Sequence, residues 1–133
     1  MKQISFLILV LSTSVGFAQA KPNLQASQIQ QLATNYQTCL DKGENMYGCA
    51  VTYYRVLDSC LNLVYRQLNR KLDKAQQQNL KMDELSWLKT RDKKFKAIDQ
   101  TNNPGQDGDM IKQDQKNTIV KERVLLLVKK LNN

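Results

Sequence analysis

Histidine is absent from all 133 residues. Its absence excludes Ser-His and Cys-His catalysis, imidazole metal ligation and a histidine pH switch. Proline occurs twice, glycine five times and tryptophan once; collagen-like and low-complexity chains are therefore excluded. The only long apolar run, Ile4 to Leu11, is far short of the roughly 20 residues of a spanning helix. Three cysteines without histidine make a poor zinc site, and no metal or cofactor is expected. The hydrophobic content of 41% with 24% charged residues suits one globular domain of this length, without room for a second.

Charge is present in excess, at +8. Lys2 precedes the apolar run, and Ala18-Gln19-Ala20 follows it as a small-x-small exit before Lys21-Pro22. Positive flank, short apolar stretch and A-x-A site form the secretory signal pattern, so residues 1–20 are expected to be cleaved near Ala20. No cysteine adjoins that site, which argues against a lipid anchor. The remaining domain, 21–133, would carry +7 once Lys2 is lost, as a periplasmic or secreted protein.

Export puts Cys39, Cys49 and Cys60 in an oxidising compartment. Cys39 and Cys49 flank the turn-rich Asp41-Lys42-Gly43-Glu44-Asn45 segment, which can bring two helix ends together. Cys49 and Cys60, eleven residues apart on one expected helix, would be separated by roughly 16 Å, beyond disulfide reach. The bridge is therefore assigned to Cys39–Cys49. Cys60 is left over, either as a small buried apolar residue or as the site of a disulfide dimer.

The periodicity is helical throughout, and an all-α, compact antiparallel bundle of about four helices follows. Leu24, Ile29, Leu32, Tyr36 and Leu40 mark a first helix over about 24–40. Ala50, Tyr54, Leu57, Leu61, Val64, Leu68 and Ala75 predict a long second helix over about 47–76. Leu80, Leu85, Trp87, Leu88, Phe95 and Ile98 carry a third. Residues Thr101 to Asp109 are rich in turn formers and read as a loop. A fourth helix over about 110–131 would face inward through Ile111, Ile119, Leu125, Leu126, Val128 and Leu131.

Two motifs stand out on the middle helices. Cys49-Ala50, Tyr54, Asp58, Leu61-Asn62, Tyr65 and Leu68 form one; Trp87-Leu88 and Arg91-Asp92 form the other. Their order and spacing resemble the LprI-type lysozyme-inhibitor family, small exported helical domains, over roughly residues 39–127. The resemblance implies binding and inhibition of lysozyme-type muramidases. It also marks departures. Positions where family members often hold a second cysteine pair carry Phe95 and Gln115. The family's closing threonine and arginine correspond to Val120 and Arg123. The founding inhibitor's lipid-anchor cysteine has no counterpart.

Asp58, Asn62 and Tyr65 fall on one helix face, and Trp87 and Arg91 are one turn apart on the next helix. If the faces meet, they would form a hydrogen-bonded network with Trp87 in the core and Arg91 donating to a carboxylate or amide; the alternative is an exposed partner groove. Asp58, Asp83, Glu84 and Asp92 lack an accompanying nucleophile or oxyanion site, so no enzyme is expected. Arg66, Arg70 and Lys74 at i, i+4 and i+8, with Lys89, Lys93 and Lys96, make two basic stripes. They are either ordinary solvated faces or one partner-binding surface. Nucleic acid is disfavoured by export and by the lack of interleaved stacking aromatics. An acidic envelope protein, an anionic cell-wall polymer or a lipid fits better. Because many lysozymes are themselves basic, a +7 chain would meet long-range repulsion from them. A protein partner is thus expected in one of two forms: a cell-wall hydrolase to be inhibited, or a component of an envelope or secretion machine served by an adaptor.

Overall fold

The computed structural model describes residues 22–133, which fold into four helices: α1 (Ala26–Leu40), α2 (Met46–Lys71), α3 (Lys74–Asp99) and α4 (Gly105–Asn132). The expected signal segment and its cleavage site lie outside the described residues.

The core is built on α2 and α4, the most extensively packed pair. Leu57, Leu61, Val64 and Leu68 of α2 meet Val120, Val124, Leu127 and Leu131 of α4, all at most 5% exposed. Each set recurs at three or four residues and so lines one helix face. The two helices run parallel. Asn117 Nδ2 donates to the Ala50 carbonyl at one end (3.0 Å), and Lys71 Nζ donates to the Leu131 carbonyl at the other (3.0 Å). Helices α1 and α3 run antiparallel to this pair and occupy its two flanks. Tyr36 of α1 reaches Asp114 of α4, whereas Asp83 and Glu84 of α3 reach Arg123 on the opposite side of α4. The described chain ends meet: Asn132 Nδ2 donates to the Leu24 carbonyl (3.0 Å) and the Leu24 amide donates to Gln67 (3.0 Å).

Two boundaries and part of one buried face differ from the sequence expectation. The long second helix stops at Lys71, because Leu72 turns extended (φ −96°, ψ 148°) and Asp73 caps the next helix. Asp73 Oδ1 accepts from the Gln76 amide (2.8 Å) and Gln76 Oε1 accepts from the Asp73 amide (3.0 Å), a reciprocal capping box. Ala75 and Lys74 therefore belong to α3. The expected loop over 101–109 closes by Pro104, and Gly105 begins α4 with φ +81°, a conformation that favours glycine. Gly108 lies directly against the Asn103 carbonyl, where any β-carbon would collide. The fourth helix buries Val128 and Leu131 as expected, but the rest of its buried face differs from the expected one. Ile111 and Leu126 are exposed, at 43% and 45%, while Val120, Val124 and Leu127 are fully buried. The apolar run from Val124 to Val128 is compatible with several faces, and the match to α2 selects one. Among the described residues no helix is long and apolar enough to cross a membrane.

Candidate functional site

The disulfide end of the bundle is shaped by a short, fixed loop. Cys39 closes α1 and Cys49 lies in the first turn of α2, with α-carbons 5.9 Å apart and a bond between them, as the spacing requires. Between them the Lys42 and Gly43 amides donate to the Cys39 and Leu40 carbonyls (3.3 and 2.9 Å). Gly43 and Asn45 adopt left-handed conformations (φ 69° and 46°). The Asn45 side chain accepts from the Gly48 amide (3.2 Å) and caps α2. It lies so closely over Gly48 that a β-carbon there would collide with it.

Beside this loop an open groove of about 670 Å³ runs between α1 and α2. Leu32, Tyr36, Tyr53 and Val56 contribute apolar wall, while Lys42 and Arg55 add cations. Tyr47, 47% exposed, stands at the same groove. The Tyr36 and Tyr53 rings stack at 4.5 Å and 14°. The Tyr36 hydroxyl donates to Asp114 (3.1 Å). Burial, then the Asp114 charge and that hydrogen bond, push the Tyr36 phenol above its ordinary range. Burial, with Asp114 and Cys60 nearby, raises Tyr53 as well, and its buried hydroxyl has no partner among the described residues.

On the other flank the family-motif residues converge differently from a continuous hydrogen-bonded network. Asn62 Nδ2 donates to the Asp58 carbonyl (2.9 Å), a bond within α2 that stays at the surface. Tyr65 is half-buried against the core. Arg91 does donate to a carboxylate, but to Asp92 beside it on α3 (2.9 and 2.7 Å). The contact across helices is aromatic: Tyr54 of α2 meets Phe95 of α3 at 6.2 Å. The Arg91 guanidinium lies over Phe95 and Trp87 at 5.6 and 5.5 Å. Trp87 is half-buried against the core rather than enclosed in it. Burial raises the Tyr54 phenol; Arg91 acts to lower it, and Asp58 and Asp92 reinforce the rise.

The strongest polar cluster was only partly legible. Arg123, 5% exposed, donates to Glu84 (3.0 and 2.6 Å) and Asp83 (2.8 Å) and lies over Trp87 at 5.4 Å. Partial burial works to raise the Asp83 carboxyl, but bonding and charge from Arg123, with Lys130 adding, hold it below its ordinary range. The available signal was an arginine inside the Val120–Val124–Leu127 seam, a buried cation that needs an acid. Asp83 and Glu84 lie between Leu80 and Trp87 on the inward side of α3. Near Phe95 and Gln115, α3 and α4 are joined by Lys116, over Phe95 at 5.5 Å and paired with Asp99 at 2.6 Å. Gln115 beside it is exposed.

Because α2 ends at Lys71, Lys74 does not extend the Arg66–Arg70 line but opens α3. Arg66 and Arg70 are exposed on α2; Lys89, Lys93 and Lys96 are exposed on α3. Helix α3 runs antiparallel to α2 and packs chiefly against α4. Cys60 is half-buried against the core, and burial pushes its thiol up.

The model of one protein family, described as lysozyme inhibitor LprI, matches residues 37–127, from the helical turns before the disulfide to the Arg123 cluster. The chain belongs to the lysozyme inhibitor LprI family. No curated protein and no solved structure matches it. The matched span contains the disulfide loop, most of the groove wall and both polar clusters of this LprI family member.

Proposed function

We propose that this chain is an exported, non-catalytic binding protein that inhibits a lysozyme-type cell-wall hydrolase by direct contact. The family match over residues 37–127 carries that reading. The groove at the disulfide end gives it a physical form. Bridge, turn and cap hold the loop before any partner arrives, so little ordering cost remains on docking. Tyr47 offers a rigid aromatic anchor. Lys42 and Arg55 place cations beside it, suited to a cleft where a glycosidase holds its pair of carboxylates. Net repulsion from a basic lysozyme opposes the encounter without excluding the docked contact, because opposition at long range and local complementarity act at different distances.

The test is digestion of purified cell walls by muramidases of several lysozyme types. The protein, recovered after export, should slow at least one of them at stoichiometric concentration, and Tyr47→Ala should weaken that inhibition by about tenfold. Unchanged digestion by every enzyme would overturn inhibition. Undiminished inhibition by Tyr47→Ala would move the contact away from the groove.

A further inference from the structure

Among the described residues, helix α3 has its acids paired and its lysines unpaired. Its four acids are each engaged by a cation: Asp83 and Glu84 by Arg123 (2.8 and 2.6 Å), Asp92 by Arg91 (2.7 Å) and Asp99 by Lys116 (2.6 Å). Its six lysines, Lys74, Lys81, Lys89, Lys93, Lys94 and Lys96, are all exposed, and none pairs with an acid of the described residues. At about 100° per residue, all but Lys94 fall within an arc of about 120° on the side turned away from Leu80, Trp87 and Arg91. Met82 and Leu85, 57% and 44% exposed, lie within that arc. From Lys74 to Lys96 the stripe runs roughly 33 Å along a straight helix.

We propose that this stripe seats the protein on a membrane surface bearing anionic lipid, with α3 lying parallel to the bilayer. A row of side chains on one side of a rod meets a plane along its whole length. Lysines attract anionic headgroups without fixed geometry, and Met82 with Leu85 can enter the headgroup region between them. A protein partner fits less well. The arc contains no aromatic and no arginine, the residues that dominate protein interfaces, and is rich in lysine, which such interfaces deplete. Two acids, Asp92 and Asp99, fall within the same arc, 65% and 57% exposed, with their charges taken up by Arg91 and Lys116. The disulfide groove opens between α1 and α2, away from α3, so a seated molecule would keep it free.

The experiment is co-sedimentation of the protein, recovered after export and with its N-terminal residue verified, with phospholipid vesicles. One set contains about 30% phosphatidylglycerol and the other only phosphatidylcholine, each at low and high salt. The protein should pellet with the anionic vesicles at low salt, and salt or loss of phosphatidylglycerol should release it. The triple variant Lys89→Gln, Lys93→Gln, Lys96→Gln should bind at least about tenfold more weakly, and Met82→Ser with Leu85→Ser should weaken binding several-fold. Helical circular dichroism on each variant separates lost binding from lost folding, and the two substitution sets are independent. No partition into anionic vesicles, or equal binding by a folded triple variant, would overturn the proposal. So would capture by soluble polyphosphate without capture by vesicles, which would assign the stripe to a linear polyanion.

Discussion

Arg123 is the only basic residue among the described positions that is buried, and its setting explains why it can be. Two carboxylates and the Trp87 ring take up its charge from α3. A guanidinium suits this better than an ammonium, since it is planar, stacks and can donate to two acids at once. Removing one member of a buried pair costs several kcal/mol, but Asp83 is 47% exposed and water compensates part of the loss. Arg123→Leu should therefore lower stability by about 2 kcal/mol in urea unfolding, and Arg123→Lys should recover only part of it. The pH dependence has a definite sign. Because Asp83 is held below its ordinary range when folded, its contribution is complete above about pH 4 and is lost as pH falls through the folded value. That acid-side loss should shrink in Arg123→Leu; an unchanged acid profile would mean the Asp83 pairing does not contribute to it. The sequence showed the arginine and the two acids as separate residues. Which acid meets which base depends on helix register, and register is set by the packing of whole faces.

At the scale of elements, the disulfide, the four-helix count and the α1 and α2 core faces were legible, because Ile29, Leu57, Leu61, Val64 and Leu68 follow one clear period. The α2–α3 joint was not. Its signal is the Asp73-x-x-Gln76 capping box, a polar cue embedded in an apolar period that continued past it to Ala75. Gly105 to Asp109 resembled a loop by composition, yet Gly108 is there because α4 passes against the Asn103 carbonyl. The face of α4 was the hardest to assign, because five consecutive apolar residues from Val124 carry almost no periodic information. The disulfide loop is the element on which the proposed docking depends. Cys39→Ser with Cys49→Ser should lower stability by roughly 3 kcal/mol, seen as an earlier denaturation midpoint. Inhibition should fall by more than the loss of folded fraction explains, since the loop would then have to be ordered on binding. Equal losses in both measurements would show the bridge to be purely a stabiliser.

At the scale of the whole molecule, the sign of the net charge sets how encounters begin. With +8 over the full sequence, association with a basic lysozyme should accelerate as salt screens the repulsion, and association with an acidic one should slow. Stopped-flow rates across an ionic-strength series would show this, and a flat response to both enzymes would place the approach outside electrostatic control. The excess is also directional, since on α3 every acid is paired with a cation and the lysines, among the described residues, are not. Asn132, clasped to Leu24 at the end of the bundle remote from the disulfide, has a different kind of consequence. Because the two described ends of the chain are neighbours there, a short peptide could join them and new ends be opened elsewhere without crossing the core. A tag, a surface linkage or a fused domain attached at either end would leave the disulfide groove facing outward, so the molecule can be immobilised by its tail and still present its opposite pole.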